Sequence, residues 1–191
     1  MLPDWMIRDG IDAGKIAIHP YDEDLINSAS IDVRLGRNLY DPTCDMYFPI
    51  PDDGYELSRG AFLLGSTIET ITVPSTLLAV LWGKSSLGRL GLVIHQTAGL
   101  IDPGFTGQIT LELANVSPTP VRLYEGMRIG QITFQVMQAA PAEPYGSTLD
   151  SHYQGQKGPT PAWNSQVVIN LAKVSEAAEA VLATVLEKEA A

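Results

Sequence analysis

Short β-prone segments, separated by Gly, Pro and Asp, are the feature that most limits how this chain can fold. They are rich in Val, Ile, Leu and Thr, which is typical of strands. We predict strands at residues 30–35, 62–64, 67–73, 77–81, 107–113, 121–123 and 128–136. Many short strands with regular turns favour an all-β sandwich or barrel.

Helical patterns occur only near the two ends of the chain. Asp4 is predicted to cap a short helix that carries Ile7 and Ile11 on one side, with Gly14 just past its end. From about residue 170, apolar residues recur at helical spacing among Lys and Glu. They are Leu171, Val174, Ala178, Val181, Leu182 and Val185. We predict an amphipathic C-terminal helix that docks on the barrel or on a neighbouring subunit.

Composition and charge exclude several classes of function. The 191 residues, 45% of them hydrophobic, suffice for one compact domain with at most a short appendage. A formal net charge of −10 argues against a nucleic-acid polymer as partner but allows a single nucleotide. Cys44 is the only cysteine, so no intrachain disulfide can form. Without a signal pattern or a long apolar run, we expect a cytoplasmic protein that does not bind membranes.

A polar turn follows one of the apolar strands. Residues 83–89 read Gly-Lys-Ser-Ser-Leu-Gly-Arg. Two hydroxyl groups, a cation and turn amides can surround phosphate oxygens, although ordinary turn chemistry explains the same residues. The Gly spacing of a Walker motif is missing. The turn is therefore a candidate phosphate site of a different kind.

Two carboxylates follow this turn, Asp102 and Glu112. Asp102 precedes Pro103 and Gly104, a strong turn signal in which an Asp is usually a capping residue. Alternation along the next strand puts Thr110 and Glu112 on the face opposite its apolar residues. An isolated Glu in such a place is usually a solvated surface residue. The residues alone leave both readings open.

Taken together, residues 83–89, 95–105 and 108–113 resemble the active-site motifs of the dCTP deaminase branch of the dUTPase superfamily. The resemblance extends from Ser30 to about Thr160. It implies a dUTPase-like distorted β-barrel, similar to a jelly roll, with short terminal helices. It also implies a homotrimer with its sites at the subunit interfaces.

The resemblance also implies a division of the chain. A dCTP deaminase-like domain covers residues 1–163, and a helical extension covers residues 164–191. Within the domain, residues 139–163 are rich in Pro, Gly, Ser and Tyr and lack a hydrophobic period, which indicates a long and functional loop. We call this segment the arm, because it resembles the family's segment that closes over the substrate.

Catalytic roles are implied by the same resemblance. Glu112, ten residues after Asp102, stands where dCTP deaminases carry the general base and plain dUTPases do not. Ser85 and the backbone carbonyl of Ala98 would position the attacking water, and Arg89 would order the polar network around the carboxylate. Asp102 would contact the deoxyribose 3'-hydroxyl and help to activate a hydrolytic water.

Substrate-binding roles are implied in the same way. Lys84 and Ser86 would hold phosphates, Tyr145 would lie beside the sugar, and Gln156 would contact the base. His152 stands where a Lys usually meets phosphate, so a pH-dependent charge replaces a permanent one. Ser30 and Asp32 match a family segment that we assign to the fold and the subunit interface.

Metal requirements follow from the chemistry. Deamination needs a water at C4 of cytosine, a proton at N3 and loss of ammonia. The zinc deaminases carry His-x-Glu and Pro-Cys-x-x-Cys signatures, which a single cysteine excludes. With three His and no carboxylates at ligand spacing, no transition-metal site is expected. We expect only Mg²⁺, held by the phosphates of the nucleotide.

The 95–99 segment favours a bifunctional enzyme that converts dCTP to dUMP and diphosphate, for use in thymidylate synthesis. Its Gly99 stands where members that only deaminate tend to carry a bulky residue. One alternative is a deaminase that releases dUTP or acts on a modified dCTP, since Trp82 replaces an acidic or polar residue. Another is a non-catalytic module that senses dTTP or dUTP. The nucleotide dTTP is a candidate inhibitor.

Overall fold

The computed structural model of the protein describes residues 1–97, 99–147 and 151–163. Residues 1–161 form one compact unit, and only Ala162 and Trp163 are described from the second, residues 162–191. The predicted C-terminal helix lies outside the described residues. None of the described helices is long and apolar enough to cross a membrane.

Strands dominate the described residues. The helices are α1 (Asp4–Asp12) and α2 (Ser85–Gly88), with a 3-10 turn at Glu23–Leu25. The strands are β1 (Ala17–His19), β2 (Ile26–Asn27), β3 (Ser30–Arg34), β4 (Asn38–Asp41), β5 (Met46–Pro49), β6 (Tyr55–Leu57), β7 (Phe62–Thr72), β8 (Leu77–Gly83), β9 (Leu92–Val93), β10 (Leu100–Ile101), β11 (Thr106–Asn115), β12 (Val121–Leu123) and β13 (Arg128–Val136). The predicted all-β class is confirmed.

The strands form two large sheets and a small one. The first sheet has the order β5-β4-β7-β11-β9, with β1 also paired to β7. The second has the order β10-β8-β13-β3-β2, and β12 pairs with β6 in the third. All named pairs are antiparallel, and apolar residues from both large sheets form one continuous core. The described strands thus make a distorted β fold of open sheets rather than one closed barrel.

The longest pairing, β7 with β11, contains a bulge. Gln108 pairs with Thr70, but Thr110 pairs with Ser66, so three residues of β7 lie opposite Ile109. The Thr67 hydroxyl accepts a hydrogen bond from the Ile109 N–H at 2.9 Å. The bulge turns Glu69 into the interior, where the Arg34 Nε donates to its Oε1 at 2.7 Å. A bulge of this kind re-aims side chains without ending the strand.

Two predicted details differ from the structure. Asp4 does not cap α1: Pro3 is the N-cap residue, and Asp4 lies in the first turn, where a carboxylate favours the helix dipole. The predicted strands at residues 62–64 and 67–73 are one strand, β7, which ends at Thr72. Gly65 lies inside this strand, at a place where a Cβ would lie 3.0 Å from side-chain atoms of Leu35 and Leu113. A glycine at this position therefore allows the two leucine side chains to pack closely against the strand.

Candidate functional site

The polar turn lies where β8 ends and α2 begins. The Gly88 N–H donates to the Lys84 carbonyl at 2.9 Å, and the Arg89 N–H donates to the Ser85 carbonyl at 3.1 Å. These bonds close a short helical turn from which the side chains of Ser85, Ser86 and Arg89 project into solvent. Within the described ranges, these three side chains have no hydrogen bond or ion pair. Their donors face outward and are available to a ligand.

Lys84 is anchored by a carboxylate that sequence analysis assigned to fold and interface. Its Nζ donates to both carboxylate oxygens of Asp32, at 2.7 and 2.9 Å. Asp32 is only 1% exposed and also accepts from Asn27 Nδ2 at 2.8 Å, with Arg128 Nη1 3.6 Å away. An Asp between two apolar strand residues, Ile31 and Val33, is the signal that marks this contact.

Trp82 lies immediately before the turn and is half-exposed. Its indole N–H donates to the Thr133 hydroxyl at 3.0 Å, across the pairing of β8 with β13. This hydrogen bond holds the ring at the edge of the turn. A flat apolar surface therefore stands beside Gly83, at the position where the family resemblance leads one to expect an acidic or polar side chain.

Glu112 lies on β11, where buried and partly exposed residues alternate along the whole strand. The predicted face is confirmed: Gln108, Thr110 and Glu112 share the partly exposed side. The Glu112 N–H donates to the Ile94 carbonyl at 2.9 Å, and its Oε2 accepts from the Gln96 N–H. The loop after β9 thus holds the carboxylate at one oxygen.

The same loop is pressed against β8 at its other end. The Leu81 N–H donates to the Gly99 carbonyl at 2.7 Å. A Cβ at Gly99 would lie 2.7 Å from the Leu81 carbonyl oxygen, so no larger residue fits without a backbone shift. The loop therefore spans from Glu112 to the strand that ends at the polar turn. Ala98, the predicted water-positioning carbonyl, lies outside the described residues.

Asp102 begins a hydrogen-bonded turn, as predicted. The Phe105 N–H donates to the Asp102 carbonyl at 3.1 Å, and Gly104 has a φ of 96°, the left-handed conformation that a type II turn requires. The Asp102 side chain is exposed. The Tyr145 N–H donates to the Pro103 carbonyl at 2.8 Å. The two predicted sugar-contacting residues are therefore neighbours.

The arm lies along β11. Gln156 meets Gln108 twice: its Nε2 donates to the Gln108 carbonyl at 2.7 Å, and its own carbonyl accepts from the Gln108 N–H at 3.0 Å. The Tyr145 hydroxyl accepts from the Tyr153 N–H at 3.1 Å. The His152 ring lies edge-on to the Tyr153 ring, with their centroids 6.4 Å apart. The amide of Gln156 is thus occupied by the strand in this arrangement.

The single chain brings only part of the predicted set together. Among the residues that the structure describes, no hydrogen bond or ion pair joins Glu112 to Ser85, Arg89 or Asp102. Glu112 lies on β11, and both the loop after β9 and the arm are hydrogen-bonded to that strand. The side chains of the polar turn and of Asp102 instead face outward. No group of three or more His, Cys, Asp or Glu in the described ranges is arranged to hold a metal ion.

Comparison with known proteins gives three findings. The profile of a family described as dCTP deaminase-like matches residues 1–137. A "dCTP deaminase, dUMP-forming" of a Nocardioides species is 46% identical over 183 residues, which cover 87% of this chain and 96% of the relative. The protein of that name from Thermobifida fusca is 44% identical over 179 residues, covering 85% and 91%.

One solved structure is similar in fold. It is the crystal structure of 2'-deoxycytidine 5'-triphosphate deaminase from Agrobacterium tumefaciens, with a TM-score of 0.61 and 25% sequence identity. The match covers 72% of this chain and 48% of that chain. This chain therefore corresponds to about half of that protein, but to nearly the full length of the relatives that share its sequence.

Proposed function

The chain belongs to the dCTP deaminase-like family, and from that premise we propose that it converts dCTP to dUMP, ammonia and diphosphate. The dUMP would supply thymidylate synthesis. The observation that carries the proposal is Glu112, held by a backbone N–H on the partly exposed face of β11. The relatives at 44 to 46% identity, named as dUMP-forming dCTP deaminases, support the same conclusion.

The first step is hydrolytic deamination. Glu112 takes a proton from a water that attacks C4 of cytosine, and the proton passes to N3. A tetrahedral centre forms at C4, with the new C–O bond made and the ring nitrogen protonated. Glu112 then takes the proton of the new C4 hydroxyl and delivers it to the exocyclic amine, so that the C–N bond breaks and the C4 carbonyl forms. One water and one dCTP give dUTP and ammonia.

In this proposal, the polar turn and the loop after β9 position the attacking water. Ser85 and the Ala98 carbonyl would hold the attacking water, and Arg89 would order the carboxylate and its neighbours. Fixed dipoles of this kind stabilise the charge that develops at the reaction centre. The outward direction of the Ser85 and Arg89 side chains suits residues that act on a ligand rather than within their own chain.

The second step is hydrolysis between the α- and β-phosphates. A water activated by Asp102, which is exposed on its turn, attacks the α-phosphorus, and the bond to the bridging oxygen breaks. One water and one dUTP give dUMP and diphosphate. Mg²⁺ enters with the triphosphate as part of the substrate, while Lys84 and Ser86 hold phosphate oxygens. Gly99, whose close approach to Leu81 leaves no room for a side chain, suits the small residue expected of a bifunctional enzyme.

The complete site is proposed to form between subunits of a homotrimer. Ser85, Ser86, Arg89 and Asp102 are exposed in the single chain, and Glu112 is only partly buried. A neighbouring subunit that brings these groups to Glu112 would also exclude water. Tyr145, Gln156 and His152 would then complete the sugar, base and phosphate contacts from the arm. A cytoplasmic location and inhibition by dTTP belong to the same proposal.

The test is to incubate the protein with dCTP and Mg²⁺ and to measure ammonia and nucleotides together. We expect ammonia and dUMP in equal amounts, with little free dUTP. Accumulation of dUTP would reduce the function to deamination alone. Tight nucleotide binding without ammonia would replace it with the sensing module.

A further inference from the structure

We propose that Gln108 and Thr110 form a clamp that sets the register of the arm on β11. They act as positioning residues rather than catalytic ones, because they hold the arm and not the reacting atoms. The clamp itself is inferred from hydrogen bonds within the chain. Its effect on turnover rests on the proposed function, in which the arm closes over the substrate.

The clamp depends on a free strand edge. One edge of β11 pairs with β7, and the described residues pair its other edge with β9 only at Ala114 and Asn115. The first half of that edge receives the arm: the Gly155 N–H donates to the Thr106 carbonyl at 2.7 Å, and the Gln108 N–H donates to the Gln156 carbonyl at 3.0 Å. Both peptide groups belong to a strand that would otherwise expose them.

Glutamine side chains of the arm extend this pairing. The Gln154 Oε1 accepts from the Thr106 N–H at 3.0 Å, and its Nε2 donates to the Gly104 carbonyl at 3.1 Å. The Gln156 Nε2 donates to the Gln108 carbonyl at 2.7 Å. Each side-chain amide makes hydrogen bonds that a peptide group of a neighbouring strand would otherwise make. The arm therefore adds to the edge of β11 without being a regular strand.

Side chains of β11 complete the grip. The Gln108 Oε1 accepts from the Gly158 N–H at 2.6 Å, while its Nε2 donates to the Ile68 carbonyl at 3.0 Å. Ile68 lies in the bulge of β7, and its carbonyl orients the Gln108 amide so that the oxygen faces the arm. The Thr110 hydroxyl accepts from the Thr160 N–H at 3.2 Å.

These contacts fix where the arm lies relative to Glu112. The arm runs in the same direction as β11, since Gly155 bonds to Thr106 and Thr160 bonds to Thr110. Glu112 is the next residue on the same face of β11. Because only every second residue of β11 turns its peptide groups toward the arm, a slip of the arm by one residue would break the hydrogen bonds at Thr106 and Gln108. The clamp thus sets the arm in a single register beside the general base.

Proteolysis tests the clamp without using activity. Lys157 is exposed and sits between the two arm residues bound to Gln108, so trypsin can cut after it only when the arm leaves β11. We expect Gln108→Ala to be cut after Lys157 about tenfold faster than wild type, and Thr110→Val about threefold faster. Thr110→Ser, which keeps the hydroxyl, should restore the wild-type rate.

Thr72→Val is the matched control. It also removes a strand hydroxyl, but within the described residues that hydroxyl bonds only to Thr106, at 3.1 Å, and not to the arm. Its cleavage rate after Lys157 should equal that of wild type. Global unfolding of a variant would also allow cleavage after a residue held in a strand, such as Arg34 in β3, at the same rate. If trypsin cut wild type, Gln108→Ala and Thr110→Val after Lys157 at the same rate, with all three proteins folded, the clamp would be overturned.

Steady-state kinetics then test the consequence for the reaction. We expect Thr110→Val to raise the KM for dCTP about threefold and Gln108→Ala about tenfold, with kcat changed less than KM, since a docked arm contributes mainly to substrate capture. If wild type forms no ammonia, the proposed function is wrong, but the cleavage rates still test whether the clamp exists. If wild type forms dUMP but KM is unchanged in loosened variants, the positioning role fails.

Discussion

Glu112 differs in its surroundings from the two carboxylates that are buried in the described part of the chain. Asp32 and Glu69 are 1% and 0% exposed, and each is matched by a cation, Lys84 or Arg34. Ionised carboxylates that are buried need such partners. Glu112 is partly exposed and, within the described residues, accepts from a neutral backbone N–H without a cation. Asp32 and Glu69 therefore stabilise the fold, whereas the Glu112 carboxylate is partly exposed and can be reached by a ligand.

Replacing Glu112 by Gln tests its role. The amide keeps the shape of the side chain, and its oxygen can still accept from the Gln96 N–H, but it cannot take a proton from water. We expect ammonia release to fall by about 10²- to 10⁴-fold while dCTP binding survives. Ammonia assays and calorimetry would measure both. Glu56→Gln, at an exposed site, is the control, and ammonia release within tenfold of wild type would remove Glu112 from this role.

The hairpin of β4 and β5 shows how side chains stabilise a tight turn. Asp45 has a φ of 54°, unusual for a residue with a side chain, and its carboxylate accepts from the Tyr40 hydroxyl at 2.9 Å. This hydrogen bond, aided by burial, raises the pKa of Tyr40 from 10.0 to about 12. The Thr43 N–H, donating to Asp41, lowers the pKa of that carboxyl.

The raised pKa predicts a pH-dependent contribution to stability. Because the folded pKa of Tyr40 exceeds its ordinary value, the contribution is fully present below about pH 10 and is lost as pH rises toward 12. Tyr40→Phe should cost about 1 kcal/mol of unfolding free energy at pH 8, and this difference should shrink at higher pH. Urea unfolding would measure it, with exposed Tyr124→Phe as control. A difference that stays constant with pH would contradict the assignment.

At the scale of the whole molecule, the groups of the proposed site lie on different elements of the described chain. The groups that resemble phosphate- and water-binding residues face outward from the β8–α2 turn, whereas Glu112 lies on a different sheet, on β11. The loop between them touches both strands, through Gln96 and Gly99. Such an arrangement suits a symmetric assembly in which each copy supplies a different part of two neighbouring sites.

Mixing two inactive variants tests this assembly. Ser85→Ala and Glu112→Gln should each be nearly inactive alone. If the two groups come from adjacent subunits, trimers reformed from equal amounts of both variants should recover about one quarter of wild-type activity, because random assembly leaves that share of sites intact. Mixing each variant with itself is the control. No recovery in verified mixed trimers would place Ser85 and Glu112 of each site in the same chain.

Local sequence determined several parts of this protein. The strands β12 and β13 occur where the pattern predicts them, because runs of β-prone residues end at turn residues. Alternation alone put Glu112 on the less buried face of β11, and Pro103-Gly104 was enough to predict the Asp102 turn. These features depend on a few neighbouring residues. The Asp102 and Glu112 roles, by contrast, came from family resemblance and stay proposals.

Tertiary structure decided what no local pattern carries. The strands β1, β9 and β10 have two or three residues each, so they exist only because a strand distant in sequence pairs with them. The contact of Lys84 with Asp32 joins residues 52 positions apart, and that of Gln108 with Gly158 joins residues 50 apart. Such contacts form when sheets pack and a strand edge needs partners, which is a property of the assembled fold and not of any one segment.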